Sequence, residues 1–253
     1  MKIKTLSLVI PAYRQEKTIV KDIKNLDRVL SALPYNYEII VVEDGFLDET
    51  GPKIKNQKSK IKNLKLLGYK VNHGKGYAVK YGILRAKGDV VGFIDAGMDL
   101  DPSEISVALD LMKWNNADII IGSKLHPESK VSYPLSRKVL SWGYRILTRV
   151  LFGFKVKDTQ VGMKFFRKKV AKEVFSRIVI KRFAFDVEVL TVAYKLGYKK
   201  IYETPVKLNF KGGMSSITAV NFWKTIFWML WDTAAVFYRL RILHYYDYDK
   251  MKK

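Results

Sequence analysis

The chain has no cysteine, which excludes disulfides and thiolate-held zinc and suits a reducing compartment. It is also short of acid. Against 46 Lys+Arg stand 24 Asp+Glu, a formal net charge of +22 over 253 residues. That excess calls for a polyanionic partner: nucleic acid, an anionic membrane surface or a phosphate-bearing substrate. Long apolar runs are missing, since no stretch reaches the roughly 18 uncharged residues of a spanning helix. The N-terminal MKIKTLSLVIPAY has a short apolar run ending at Pro11 and reads as a buried first strand rather than a secretory leader. The sequence has no GxGxxG, which argues against hydride transfer, and no GxxxxGKS/T P-loop. Neither a low-complexity linker nor an internal repeat divides it.

What is present is a core's worth of apolar sequence, 48% of the residues, in alternating β and α patterns. TLSLVIPAY, YEIIVVEDG, LKLLGYKV, VVGFIDAG and DIIIGSKL read as strands, most of them continuous apolar runs buried on both faces. EKTIVKDIKNLDRVLSAL, GYAVKYGILRA and SEISVALDLMKWNN have helical periodicity. The expected fold class is α/β, a mostly parallel sheet with helices on both faces. Further on, HPESKVSYP reads as a loop and LSRKVLSWGYRILTRVLFG as a basic amphipathic helix. DTQVGMKFF is a short turn and strand, RFAFDVEVLTVAYKLGY a helix and KIYETPVKLNF a strand.

In ITAVNFWKTIFWMLWDTAAVFYRLRIL, at about 100° per residue, Asn221, Lys224, Thr225, Asp232 and Arg239 share a narrow stripe. The remaining face is aromatic and aliphatic. Two readings fit: a helix lying in a bilayer interface with its aromatic side down, or one packed on the domain's own core. The expected partition is residues 1–217 as the main domain and 218–253 as an amphipathic, membrane-interfacial extension.

The polar clusters PAYRQE, EDG, NHGKG and DAGMD all follow strands, so a parallel sheet brings them to one rim, where ligands of such folds bind. Glu43 and Asp44 are placed to accept hydrogen bonds from a base and ribose, although Asp44-Gly45 also has the makings of a plain turn. Gly74 and Gly76 open a helix whose N-terminus favours anions, and Lys75 adds a point charge. In FIDAGMDLDP, Asp101 has the setting of an N-cap, with Pro102 at N1 and Glu104 at N3. Asp95 ends an apolar strand and points out of the rim. One or two carboxylates with substrate phosphates are what Mg2+ or Mn2+ prefers. Asp99 is either a second ligand or a solvated loop residue.

Taken in order, VIPAYRQE, VVEDGFLDET, NHGKGYAV, FIDAGMDLDP, GSK, DTQVGMKFF and RFAFDVEVL resemble glycosyltransferase family 2 over nearly the whole chain. Within it they are most similar to the branch acting on dolichyl and polyprenyl phosphates. The resemblance implies a GT-A fold, a nucleoside-diphosphate sugar donor (UDP-glucose or GDP-mannose), a divalent metal and inversion at the anomeric carbon. Carried over, Pro11, Tyr13, Glu16, Glu43, Asp44, Lys75, Asp95, Ala96 and Gly97 line the nucleotide-sugar site. Asp95 matches the first Asp of the DxD metal motif and Asp99 a later polar ligand. Lys124 and Arg137 are candidates for the acceptor phosphate, and Arg137 is counted with Asp95 and Asp99 as catalytic. Asp158, Thr159 and Gln160 fall near the sugar. Lys211, Ser215 and Ser216 resemble a loop closing over the diphosphate, and Asp186 and Glu188 lie on a helix below the site. Lys138, Arg145 and Arg149 are expected to face membrane or solvent.

The chain departs from the family pattern in several places. Glu43 and Phe46 replace the usual Asp and Ser, Lys124 stands where Arg is commoner, and Gly97 occupies the place of the second DxD Asp. That last change shifts the metal's load onto Asp99 and the diphosphate, or weakens it. The expected partners are a nucleotide sugar, a polyprenyl or dolichyl phosphate and an anionic membrane surface, at the cytoplasmic face of a membrane. Nucleic acid is set aside, because carboxylates at the rim repel a polyanion. A glycan hydroxyl acceptor is the alternative; it would need a general base, with Asp99 or Asp158 the candidate.

Overall fold

The computed structural model describes residues 2–97, 100–132, 135–209 and 222–247; side chains at 132–139, 209 and 222 fall outside the description. Strands β1 (Thr5–Ala12), β2 (Asn36–Asp44), β3 (Leu64–Tyr69), β4 (Val90–Ile94), β5 (Ile119–Ser123), β6 (Lys130–Ser132), β7 (Met163–Arg167), β8 (Ile201–Pro205) and β9 (Lys207–Asn209) follow in chain order. The helices are α1 (Ile19–Ser31), α2 (Thr50–Lys55), α3 (Lys75–Ile83), α4 (Glu104–Trp114), α5 (Leu135–Phe152), α6 (Lys168–Arg177), α7 (Phe185–Lys195) and α8 (Phe222–Arg241). A seven-stranded sheet runs β3-β2-β1-β4-β7-β5-β8, and β6 pairs with β9 in a second, two-stranded sheet. In the large sheet β7 is antiparallel to both its neighbours and the other pairings are parallel.

Every residue of β4 and β5 is buried, because helices cover both faces of the sheet. Strand alternation sends Leu8, Ile10, Val41 and Phe165 to one face, where α1 and α4 supply Ile23, Leu26, Ile105 and Leu109. Val9, Val42, Val91 and Phe166 go to the other, against Val79 and Ile83 of α3 and Val187 and Leu190 of α7.

The chain runs outward through β1, β2 and β3. Helix α3 then carries it back across β1 to β4, so the strand order reverses between β1 and β4. A crevice opens at such a point, outside the carboxyl ends of the strands. Because β7 runs the other way and pairs Met163 with Ile94, its amino end reaches the same rim.

Three local expectations change. HPESKVSYP contains β6, and KIYETPVKLNF splits into β8 and β9. Pro205 has no N–H with which to extend the ladder, and Val206 instead donates to Ser129 Oγ (2.9 Å) and accepts from Lys130 N (3.0 Å), handing the chain to the small sheet. Helix α4 begins at Glu104 behind an N-cap Ser103. Asp101 Oδ1 accepts from Ser103 N (2.9 Å), so it secures the tight turn before the helix. The reciprocal half of the capping box does not form, because Glu104 pairs with Lys207 at 2.7 Å.

Helix α8 buries polar side chains beside an apolar one, Val236. Asp232 and Thr233 are buried. Asp232 receives both nitrogens of the Arg182 fork (3.1 and 3.2 Å), and Thr233 meets the Tyr144 hydroxyl at 2.7 Å. Trp223, Phe227, Leu230, Trp231 and Tyr238 are turned outward and exposed, as are Leu140, Trp142, Ile146 and Val150 of α5. Beyond the helix Tyr246 is fully buried, its hydroxyl donating to Glu188. Among the described residues no helix is long and apolar enough to cross a membrane.

Candidate functional site

The rim is built from turns that hold one another. After β1, Gln15 N donates to Thr50 Oγ1 (2.9 Å) and Glu16 N to Asp48 Oδ2 (3.3 Å), while Glu16 Oε2 accepts from Glu49 N (3.2 Å). These bonds join PAYRQE to the segment after β2. Pro11 is half-buried, and Tyr13 is exposed with the Arg14 guanidinium 5.5 Å from its ring centroid. At the end of β2 Glu43 is buried and accepts from Gly51 N at 2.9 Å. A Cβ on Gly51 would lie 2.3 Å from Glu43 Oε2, so glycine is what lets helix α2 approach. Burial pushes the Glu43 carboxyl above its usual range, with the Gly51 N–H pulling the other way.

Asp44 also looks inward. Its oxygens accept from Asn72 Nδ2 (2.9 Å), His73 N (2.7 Å) and Gly74 N (2.9 Å). The carboxylate therefore shapes the NHG turn, and Gly74 at φ +100° supplies a backbone that side chains resist. That turn delivers Lys75 as the first residue of α3. The Lys75 ammonium lies 2.8 Å from Oδ2 and 2.7 Å from Oδ1 of Asp95. Burial favours the neutral amine, but Asp95 and then Asp186 outweigh it and hold the Lys75 pKa above its ordinary value.

Asp95 follows β4 directly, its N–H donating to Gly162 O at 2.9 Å. Its carboxylate lies over Gly162, where a Cβ would be 1.9 Å from Oδ2. Ala96 packs against the apolar core, and Gly97 has φ +107° and donates its N–H to Asp22 Oδ2 (2.9 Å) on α1. An Asp here would take a strained backbone, which accounts for glycine at the place of the second DxD acid. Asp99 lies outside the described residues, and among the described residues no group of three His, Cys, Asp or Glu converges as a metal cage. The donor set nevertheless suits a hard cation carried with a diphosphate. Among the described residues, Asp95 Oδ1 is buried without an aligned hydrogen bond and nothing lies within 4 Å of a Cβ placed on Gly97.

On the far side of the crevice Asp158 Oδ2 accepts from Lys124 N (3.1 Å), with Lys124 Nζ 3.5 Å away, and Asp158 Oδ1 accepts from Gln160 N (3.1 Å). Thr159 is buried and Gln160 half-buried. Arg137 and Lys138 are on α5 but their side chains are not described, and Lys211, Ser215 and Ser216 lie outside the described residues. Arg149 is exposed and Arg145 half-buried. Glu188 is fully buried, accepting from Val179 N (2.9 Å) and Ile180 N (2.7 Å), and acts as scaffold. Sequence reading missed Asp22, Gly162, Lys164 and Arg182. The clue to Gly162 was its place one residue before the strand that pairs with β4. A cavity of about 240 Å³ between Phe152, Tyr194 and His244 is lined by none of the rim residues.

A mostly parallel sheet with polar turns at its carboxyl rim defines a GT-A-type α/β fold. Solved structures share it: glucosyl-3-phosphoglycerate synthase from Mycobacterium tuberculosis, in complex with Mn2+, UDP and phosphoglyceric acid, superposes with a TM-score of 0.69 at 18% identity, covering 93% of this chain and 78% of that one. The model of glycosyl transferase family 2 matches residues 7–175, and the chain belongs to that family. It is similar to a dolichyl-phosphate beta-glucosyltransferase of Trichomonas vaginalis, 36% identical over 81% of this chain and 65% of that protein. The Dictyostelium discoideum enzyme of the same name is 32% identical over 76% and 62%, and the human one 31% identical over 95% and 76%. The chain thus spans just under two thirds of the length of the first two relatives.

Proposed function

We propose that this chain transfers glucose from UDP-glucose to a dolichyl or related polyprenyl phosphate at a membrane surface, with inversion at the anomeric carbon. The observation that carries the reading is the meeting of Lys75 and Asp95 at the β1/β4 crevice, in a chain whose relatives bear the name dolichyl-phosphate beta-glucosyltransferase. A phosphate oxygen of the acceptor attacks C1 of the sugar as the bond from C1 to the diphosphate oxygen breaks, and the electron pair leaves with UDP. The acceptor phosphate is anionic near neutral pH, so no side chain need remove a proton. Lys75 stands where negative charge grows on the leaving diphosphate, the kind of preorganised stabilisation that lowers such barriers most. Lys124 and Arg137 hold the acceptor phosphate, with Asp158 orienting Lys124 until it arrives. Pro11, Tyr13, Glu16, Glu43 and Asp44 frame the nucleotide directly or through the turns they fix, and Lys211 and Ser215 are assigned to the acceptor phosphate or the sugar.

Asp95, together with Asp99, would hold a divalent ion, Mg2+ or Mn2+. Such an ion screens the diphosphate and polarises its oxygens. The outward aromatic faces of α5 and α8 supply an apolar surface among basic flanks, suited to a lipid acceptor and to an anionic bilayer on the cytoplasmic side. Purified protein given radiolabelled UDP-glucose or GDP-mannose with dolichyl phosphate in vesicles tests the reading. Organic-extractable label from UDP-glucose is expected. Water-soluble product alone rejects the lipid-phosphate acceptor in favour of a glycan hydroxyl, and label from GDP-mannose alone rejects the donor.

A further inference from the structure

Behind the rim lies a buried ion pair, Lys164 with Asp186, that the chemistry above does not use. Lys164, second in β7, is fully buried, and its ammonium donates to Val161 O (2.8 Å) and to Asp186 Oδ1 (2.5 Å). Asp186 sits in the first turn of α7 and is buried as well. Its neighbour Phe185 carries the Lys75 ammonium 5.8 Å from its ring centroid and packs against Phe93 at 5.6 Å. Phe93, opposite Lys164 in the sheet, lies 5.4 Å from that ammonium. Asp186 thus follows directly on the residue that packs beside Lys75 and Gly76, and after Asp95 it is the carboxylate that holds the Lys75 ammonium charged.

Two ions taken out of water are costly, and a well-packed apolar pair would join β7 to α7 as well or better. The pair therefore calls for a reason besides stability. A donor diphosphate entering the crevice draws Lys75 away from Asp95. Without Asp186, the repulsion between Lys75 and the buried Lys164 cation would go uncompensated. We propose that Asp186, braced by Lys164, is a positioning residue that keeps the Lys75 ammonium fixed in the crevice for the donor's diphosphate. This rests on the reading that the rim binds a nucleoside-diphosphate sugar.

The test compares Asp186→Asn, Lys164→Met and the double variant by melting temperature, by UDP titration calorimetry in Mn2+ buffer, and by KM and kcat for UDP-glucose. Each single strands a buried charge and melts lower. The double removes the pair without changing net charge and recovers most of the melting temperature. It should still bind UDP at least tenfold more weakly, with KM raised and kcat changed less. A double variant that regains wild-type UDP affinity along with its stability overturns the proposal. If the double does not fold, the singles decide: Asp186→Asn must weaken UDP binding more than Lys164→Met, which leaves a carboxylate facing Lys75, and equal losses overturn the proposal. A wild-type protein that binds no UDP sinks the donor reading itself, a separate outcome.

Discussion

Substituting Gly162 by alanine adds one methyl group beneath the Asp95 carboxylate. That carbon would lie 1.9 Å from Oδ2, 2.1 Å from Cγ and 2.5 Å from Oδ1. To restore a normal contact the carboxylate must retreat by about 1 Å or more. Gly162 is not at positive φ, so alanine accepts the backbone without strain. The Asp95 side chain is 35% exposed and has room to swing, which keeps the cost in stability near the lower end for overpacking, about 1 kcal/mol. For a protein of this size that is a fall of about 2–4 °C in Tm. Function should suffer far more. A displacement of about 1 Å at a group that must meet the diphosphate costs on the order of 100-fold in rate, or about 2.7 kcal/mol in barrier. The assay is glucose transfer from UDP-glucose to dolichyl phosphate, with the melting curve recorded on the same sample. Gly197→Ala is the control: at φ +87°, with no atom of the described residues within 4 Å of the added carbon, it costs stability through the backbone alone and leaves transfer intact. Folded Gly162→Ala with wild-type kcat/KM, or an equal loss of activity in Gly197→Ala, refutes the reasoning.

Other expectations follow from the same geometry. Asp95→Asn keeps the shape but removes the charge facing Lys75, and should lower kcat/KM by at least 100-fold with little change in Tm. Unimpaired turnover would remove Asp95 from the chemistry. Replacing Phe227 and Trp231 by serine touches outward side chains and should weaken sedimentation with anionic vesicles while leaving the melting curve within about 1 °C; unchanged sedimentation counts against a membrane-facing α8. Burial works to raise the Glu38 carboxyl, but the Lys65 ammonium, the Ser7 hydroxyl and the Lys87 N–H outweigh it and hold its pKa below the ordinary 4.5. Its contribution is therefore fully present above pH about 4.5 and lost as pH falls through the lower folded value. Urea midpoints of wild type should drop more steeply below pH 4.5 than those of Glu38→Gln, and parallel curves would contradict this. Tyr246→Phe deletes the hydroxyl that meets buried Glu188 and should cost about 1–3 kcal/mol in unfolding free energy.

Much of the architecture was legible because apolar strands and amphipathic helices alternate, and that alternation dictates which loops share a rim. The alternation placed Lys75 and Asp95 on one rim, where the structure has them in contact; Lys124 came from the family resemblance. Less legible was anything resting on two distant segments. The strands β6 and β9 are three residues each and carry no periodicity of their own; they exist because Pro205 interrupts a ladder. In MKFFR, Lys164 looks like a solvent-facing position, and its counter-ion is 22 residues away with no local signature. Glu43 and Asp44 were read as ligands for a base and ribose, yet most of their oxygens are engaged with backbone and Asn72. The polar stripe read along α8 does not keep one environment: Lys224 is exposed while Asp232 is buried, and Asn221 lies outside the described residues.

The family match stops at residue 175, yet the folded unit does not. Strand β8 covers the outer flank of β5, Asp186 neutralises Lys164, and Tyr246 plugs the interior from almost the last described turn. A protein cut at residue 175 would bare the backbone of Ile119–Ser123 as an open edge and strand a cation in an apolar interior. The stretch that the family model matches is thus a smaller piece than what must be synthesised for any of it to hold its shape.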